Sequence, residues 1–241
     1  MKQTKALMLI LIFTAFTAVG CSGVSNYAKG SKTIKEENRN IEYFDKISLQ
    51  CAAKIDISQG ENNSVLIIAD DNILPIIETK LSSQTLFIST KENICTDKSK
   101  IIITMKVIAG LEISGSGDIS AQGLIKSESL AISISGSGDV KIPSADLNNL
   151  AVKISGSGDV KIAGTGTNSL LEIYGSGDID LSKLITTSAA ITINGSGDCK
   201  VNATENLKAE INGSGDIKYK GNPKNIKRSI IGSGNIKPMK K

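Results

Sequence analysis

The stretch ISGSGDI, Ile113–Ile119, returns six more times with small changes before residue 238. Its first glycine stands at positions 115, 136, 156, 175, 195, 213 and 232, so successive copies lie 18 to 21 residues apart. A repeat of this length is typical of a stacked architecture in which each unit packs only on its neighbours. The last copy has Asn235 where the others have Asp. We therefore predict a solenoid from about Leu111 to Lys237.

The apolar residues of every copy lie at even offsets from the first glycine. Two residues before it stands Ile, at positions 113, 134, 154, 173, 193, 211 and 230. Four residues after it stand Ile119, Val140, Val160, Ile179, Cys199, Ile217 and Ile236. Because side chains alternate between the two faces of a strand, even offsets are predicted to point into the core and the odd, polar ones to solvent. Cys199 is therefore expected to be a buried apolar side chain.

The alternating segment is too long for one side of a coil. About eleven residues span ~36 Å as a straight strand, whereas one side of a three-sided, twenty-residue coil spans ~22 Å. The chain is expected to turn at Gly-Ser-Gly, since glycine accepts backbone angles and close approaches that a Cβ forbids. Leu124, Leu147 and Leu184 are expected to face inward from the third side. Parallel crossovers are right-handed, so the predicted fold is all-β, a right-handed parallel β-helix.

The N-terminal residues indicate export. Lys2 and Lys5 precede an apolar run of fourteen residues, 6–19, which suits a signal peptide and is short for a membrane span. The tetrapeptide 18–21 resembles a lipobox, which makes Cys21 the lipidated first residue of the mature chain and the membrane its partner. Ordinary cleavage after Gly20 is the alternative.

The remaining sequence divides by pattern. Residues 21–40 are polar and aperiodic, and they are predicted to be a flexible tether. Residues 41–105 form a region of short alternating strands, which we expect to continue the stack of residues 106–241. Residues 41–236 would then form one domain.

Stacking the coils places an acidic column on the outer surface: Asp118, Asp139, Asp159, Asp178, Asp198 and Asp216. Three roles are open to it: calcium binding, catalysis, or capping of the corner by hydrogen bonds to local backbone N–H groups. A column of lysines two residues further on nearly neutralises the charge, with Asp180 between Lys161 and Lys200. We therefore favour the structural role and predict no metal and no cofactor.

Few other residues are candidates for catalysis, ligand binding or disulfide formation. The chain has no His, which excludes the common hydrolase triads. It also has no Trp, and 3 % of its residues are aromatic. The outward Tyr174 is the best candidate for a ligand contact, although surface packing would explain it too. Cys51 and Cys95 could pair in an oxidising compartment, although their spacing does not prove it. The net charge of +4, or +2 without residues 1–20, provides no basic stripe for nucleic acid.

The repeat resembles the family named putative auto-transporter adhesin, head GIN domain, common in lipoproteins of Bacteroidetes. The leading strand 44–47, the turn 57–60 and the closing residues 221–224 resemble it as well. The resemblance implies a β-helix-like fold at the cell envelope with no established activity. Surface-exported lipoproteins of that phylum often carry acidic residues after the lipid-bearing Cys. Here residues 22–25 are Ser-Gly-Val-Ser, so a cell-surface and a periplasmic orientation at the outer membrane both stay open.

The functional expectation is a non-catalytic envelope lipoprotein that acts as an adhesin or scaffold for a glycan or protein ligand. The alternative is a polysaccharide-active lyase or hydrolase on the same fold. A catalytic site breaks the symmetry of a repeat, whereas these copies preserve it, and we therefore predict that the protein is not an enzyme.

Overall fold

The computed structural model describes residues 27–95 and 99–239, except for the side chain of Cys95. This part of the chain is all-β, apart from a short 3-10 turn at Leu74–Ile76. None of the described segments is a helix long and apolar enough to span a membrane. The predicted signal peptide, residues 1–20, and Cys21 lie outside the described residues.

Nineteen strands make up the described chain, and most of them are parallel. The first nine are β1 (Tyr27–Lys29), β2 (Ile34–Arg39), β3 (Lys46–Leu49), β4 (Lys54–Gln59), β5 (Ser64–Asp70), β6 (Ile77–Ser82), β7 (Thr85–Thr90), β8 (Asn93–Cys95) and β9 (Lys100–Met105). The repeats supply β10 (Gly110–Ile113), β11 (Asp118–Gln122), β12 (Ile125–Ile134), β13 (Val140–Ile154), β14 (Val160–Ile173), β15 (Ile179–Ile193), β16 (Cys199–Gly213), β17 (Ile217–Lys220), β18 (Asn225–Gly232) and β19 (Ile236–Pro238).

The repeats form a parallel β-solenoid, as the sequence predicts. The isoleucine two residues before each motif glycine pairs with its equivalent one coil away: Ile113 with Ile134, Ile134 with Ile154, and so on to Ile211 with Ile230. Each coil bends at Gly-Ser-Gly, and the second corner carries bulges, for example between Ile142 and Ala145. The bulges absorb the differences in coil length, so the motif columns stay in register. The right-handed sense of the coil stays a prediction.

The N-terminal region continues the same stack, but out of chain order. Strand β3 lies between β7 and β10, and β4 lies between β9 and β11. The first coil of the chain therefore becomes an interior layer, and β7 with β9 forms the layer below it. A single apolar core runs from Phe44 to Ile236 through both regions.

Antiparallel strands close the N-terminal end of the stack. Strand β5 pairs with β9, β2 pairs with β5, and β6 pairs with β7. The prediction of a flexible tether over residues 21–40 is therefore wrong for two segments, β1, Tyr27–Lys29, which pairs with β8, and β2, Ile34–Arg39. The sequence of β2 has no apolar alternation because β2 is a largely exposed edge strand, held by backbone hydrogen bonds instead of side-chain burial.

The motif glycines are required by the approach of one coil to the next. From Gly136 onward, a Cβ on either motif glycine would come closer than 3.0 Å to the carbonyl oxygen of the equivalent glycine in the preceding coil. Of all the motif glycines, only Gly232 has a positive φ, 131°. The predicted role of unusual backbone angles is therefore wrong for the other copies. Absence of a side chain, which lets the corners stack backbone on backbone, is the physical reason for the repeat.

The first corner of the stack departs from this rule. Gly115 and Gly117 lie against the backbone of Cys51 and Ala53, which occupy the two glycine positions of the coil below. Side chains fit there because β7 leads into the separate strand pair β8–β1 instead of repeating the corner. Both residues are buried.

Burial follows the predicted parity with two exceptions. The inward residues of the middle coils are buried, and Cys199 is completely buried between Ile179 and Ile217. Ile230 is 45 % exposed because no further coil covers it. Leu124 is exposed as well, and its neighbour Ile125 fills the core, because Gly123 turns the chain with φ 76°.

Replacing Gly156 with Ala is predicted to destabilise the fold by ~3 kcal/mol, because the new methyl group would overlap the Gly136 carbonyl oxygen. The matched control is Gly166→Ala, where the nearest backbone atom, the Leu147 carbonyl oxygen, is 3.2 Å from the new Cβ. We expect the control to change stability by less than ~1 kcal/mol. Urea unfolding of both variants measures the difference, and equal effects would contradict the stacking argument.

Candidate functional site

The aspartates of the motif form a hydrogen-bonded ladder along the axis. In each step the backbone N–H of one motif residue donates to Oδ1 of the Asp in the preceding coil. The donor–acceptor distances are 2.7 to 3.1 Å for the steps Asp118–Asp139, Asp139–Asp159, Asp159–Asp178, Asp178–Asp198, Asp198–Asp216 and Asp216–Asn235. The carboxylates thus accept from the backbone of the next coil, and not from the local N–H groups that the structural hypothesis named.

A second set of bonds runs in the opposite direction at the same corner. The N–H of Val160 donates to the Asp178 carbonyl oxygen at 2.9 Å, and the N–H of Asp178 donates to the Asp159 carboxylate at 2.8 Å. The Asp159 carbonyl oxygen accepts from the N–H of Val140 in the preceding coil, so the carboxylate is the acceptor that serves the next coil. Each Asp therefore completes the hydrogen bonding of the corner.

Lysines beside the ladder balance its charge. Lys218 lies 3.8 Å from Asp198 and Lys237 lies 3.5 Å from Asp216, both measured between Nζ and Oδ2. Asp180 stacks between Lys161 and Lys200, as predicted. Burial alone would raise the pKa of Asp180, but hydrogen bonds from Ser182 and the two lysine charges outweigh it and lower that pKa.

The last carboxylate of the ladder, Asp216, receives two hydrogen bonds from Asn235, one from its backbone and one from its side chain. The side-chain bond from Asn235 is the main cause of the lowered pKa of Asp216. A lowered pKa in the folded state means that the charged carboxylate stabilises the fold above the ordinary value of 3.8. This contribution is lost as the pH falls through the folded-state pKa.

The ladder lacks the features of a metal or acid–base centre. Within residues 27–95 and 99–239, no group of three or more Cys, Asp or Glu is placed to hold a metal ion. One oxygen of every ladder Asp already accepts a backbone hydrogen bond, and each carboxylate repeats the environment of its neighbours. The arrangement stabilises the stack.

A groove follows the axis on the outer face of the strands that lead into the motif glycines. Its floor is the column five residues before the motif glycine, where half of the side chains are small. The column runs through Lys46, Gly110, Ala131, Ala151, Leu170, Ala190, Lys208 and Lys227. We call this depression the alanine groove. Its two adjoining parts have volumes of about 410 Å³ and about 640 Å³.

Polar side chains border the alanine groove on both sides. On one side the amides of Asn149, Asn168, Asn206 and Asn225 follow the axis, and Asn168 donates to Asn149 over 3.1 Å. On the other side lie Glu112, Ser133, Lys153 and Glu172. Leu170, 51 % exposed, rises from the middle of the floor. The groove therefore offers apolar surface flanked by hydrogen-bonding and charged groups.

Tyr174 lies on the same face but does not line the groove. It is 47 % exposed, as the sequence predicts, and the Lys153 Nζ lies 5.1 Å from the centre of its ring. This cation–π contact positions Lys153, whose side chain does border the groove. A direct ligand contact at Tyr174 stays a prediction, and its observed role is to hold the lysine.

Neither described thiol is poised for chemistry. Cys51 and Cys199 are both buried, and burial raises the pKa of both thiols. The Cys51 Sγ lies 4.0 Å from the Ile88 carbonyl oxygen. The side chain of Cys95 lies outside the described residues, so its pairing with Cys51 stays a prediction.

The alanine groove is not predicted from the sequence, because the alignment of the copies begins only two residues before the motif glycine. Ala131, Ala151 and Ala190 are outward by parity, yet they are small and apolar where neighbouring columns are polar. The same alignment on the motif glycine, extended by five residues, would have found them.

Two variants of Asp159 separate the hydrogen-bond acceptor of a ladder carboxylate from its negative charge. We expect Asp159→Ala to destabilise the fold by ~1 kcal/mol, because the N–H of Asp178 loses its acceptor. Asp159→Asn retains an acceptor oxygen and is expected to stay within ~0.5 kcal/mol of the parent. Thermal and urea unfolding measure both. Equal losses in the two variants would show that the charge and not the hydrogen bond matters.

Comparisons with known proteins bear on these surfaces. Residues 43–223 match the profile of the family described as putative auto-transporter adhesin, head GIN domain. Among curated proteins none matches this chain. A crystal structure from Bacteroides fragilis, described as a putative adhesin, is 31 % identical, covers 88 % of this chain and 100 % of its own, and superposes with a TM-score of 0.85.

Two further crystal structures share the fold. One from Parabacteroides distasonis, described as a putative lipid binding protein, is 26 % identical and covers 89 % of this chain and 100 % of its own, with a TM-score of 0.75. One from Parabacteroides merdae, described as a putative adhesin, is 22 % identical and covers 90 % and 100 %, with a TM-score of 0.68, and it supports the fold alone. The repeat, the stack and the family profile agree, and this chain belongs to the head GIN domain family of putative auto-transporter adhesins.

Proposed function

We propose that the protein is a non-catalytic adhesin of the bacterial cell envelope that binds an extended polysaccharide along the alanine groove. The lipid on Cys21 holds it to the outer membrane, and the signal peptide of residues 1–20 directs its export. Membership of a family described as adhesins supports the general role. The shape and chemistry of the groove support the ligand class.

One observation carries this proposal: the alanine groove runs along the axis past every coil from Lys46 to Lys227. A trough that passes so many equivalent coils suits a long chain better than a compact metabolite. Its apolar floor fits the C–H faces of sugar rings. The bordering amides, together with Lys153 and Glu172, can hydrogen-bond to hydroxyl groups.

The charges of the described residues favour binding over bond cleavage. A glycosidase needs two carboxyl groups across the scissile bond, one of them with a raised pKa. Asp180 and Asp216 have lowered pKa values, which is the opposite of what a general acid requires. Neither of them lines the groove.

Blocking the groove tests the proposal. The chain from Ser22 onward, without the lipid, would be titrated with pectins and with host mucin glycans by calorimetry. Ala151→Arg is expected to weaken binding by ~10-fold or more, because the new side chain fills the floor without touching the core. The same substitution at the exposed corner residue Ser157 is the control and should leave binding unchanged.

Two results would contradict the proposal. Binding of Ala151→Arg at the affinity of the parent would remove the groove from the interaction. Release of soluble oligosaccharides from any of the polysaccharides would show catalysis and support the lyase or hydrolase alternative.

A further inference from the structure

The two ends of the solenoid differ in whether other strands cover the last parallel layer. At the N-terminal end, antiparallel strands β5 and β6 cover the last parallel layer. At the C-terminal end, β18 pairs only with β16 and β19 pairs only with β17 among the described residues. Every residue of β18 is exposed. None of residues 27–95 and 99–239 covers the core or the outer strand edge at this end, which we call the open end.

Three isoleucines make the open end apolar. Ile226 and Ile230, 38 % and 45 % exposed, stack on Leu207 and Ile211, which are buried one coil below. Ile231 is 69 % exposed and, unlike the other two, does not continue a core column. It points outward in a column that holds Ser135, Ser155, Tyr174, Asn194 and Asn212 in the preceding coils. The fold does not require an apolar residue there.

The same end is strongly basic. After Asp216 the chain has no acidic residue, whereas it has the eight basic residues Lys218, Lys220, Lys224, Lys227, Arg228, Lys237, Lys240 and Lys241. Lys218, Lys224 and Lys237 pair with carboxylates of the preceding coils. Lys220 and Lys227 have no ion pair among the described residues.

Arg228 shows that the open end is adapted to exposure. It takes an inward position that Val152, Leu171 and Ile191 hold in earlier coils. Its guanidinium lies 5.1 Å from the centre of the Tyr219 ring and donates to the Tyr219 hydroxyl group. A charged side chain is tolerated in the core column because solvent, and no further coil, lies above it.

We propose that this open end docks onto an anionic lipid bilayer. Exposed isoleucines and lysines without ion pairs, together in the last strands of the stack, are the chemistry of interfacial membrane binding. The isoleucine side chains would enter the headgroup boundary, while Lys220 and Lys227 reach lipid phosphates. The open strand edge stays in the hydrated headgroup layer, where water satisfies its backbone groups.

Other occupants fit the open end less well. A second copy joined end to end would bring two basic clusters together without any acidic residue between them. An acidic polysaccharide would satisfy the lysines but leave Ile226, Ile230 and Ile231 in water. This docking does not involve the lipid on Cys21. It shares Lys227 with the end of the alanine groove, whereas Ile231 lies outside the groove, so Ile231→Asp tests the docking without altering the proposed polysaccharide site.

Vesicle cosedimentation tests the docking with the unlipidated chain from Ser22 onward, which contains every described residue. Vesicles of phosphatidylcholine alone are compared with vesicles that also contain phosphatidylglycerol, at low and at high salt. We expect binding only to the anionic vesicles, and release at high salt. Lys227→Glu and Ile231→Asp should each weaken binding by ~10-fold or more, because both alter exposed side chains at the open end.

The matched control is Lys126→Glu, which makes the same charge change on an exposed side chain of β12, remote from the open end. Binding of this variant should stay within about twofold of the parent. Equal binding to neutral vesicles, no binding to anionic vesicles, or equal losses in the control and in Lys227→Glu would overturn the proposal. Dimers in sedimentation velocity that Ile231→Asp dissolves, without vesicle binding, would assign the end to a second copy.

Discussion

The approach of glycine backbones at the first corner is the constraint on which the rest of the structure depends. From the coil of Gly136 to that of Gly234, every motif glycine lies so close to its predecessor that a Cβ would overlap the neighbouring carbonyl oxygen. The corners can stack at strand spacing only where no side chain intervenes. Two glycines in each coil therefore keep every column of the solenoid in register.

That register turns single residues into continuous surfaces. The motif aspartates become a ladder because each carboxylate meets the N–H of the next coil at 2.7 to 3.1 Å. Five residues before the motif, small side chains become the floor of the alanine groove by the same alignment. Equivalent outward residues of successive coils thus form extended surfaces, while the core beneath them is built in the same way in every coil. The proposed binding function depends on these surfaces and not on a local constellation of reactive groups.

The sequence predicts the structural features that recur in every coil, and it does not predict those that occur once. Parity places Ile134, Val140 and Cys199 in the core correctly, because alternation is a local property of a strand. The insertion of β3 between β7 and β10 depends on pairing between distant segments, which no local pattern reveals. Ile230 carries the signal of a core residue and is exposed only because the stack ends above it. The partner of each Asp carboxylate lies a whole coil away, so a reading of local turn chemistry could not find it.

Hydrogen exchange at the motif amides tests the central claim most directly. The N–H groups of Ser137, Ser157, Ser176 and Ser196 donate to glycine carbonyl oxygens of the preceding coil at 3.0 to 3.1 Å, although their side chains face solvent. If the glycine corner holds the stack together, these amides exchange as slowly as the strand amides beside them, near the limit of global unfolding. Exchange at the rate of an unstructured peptide would show that the corners are loose loops and would contradict the account.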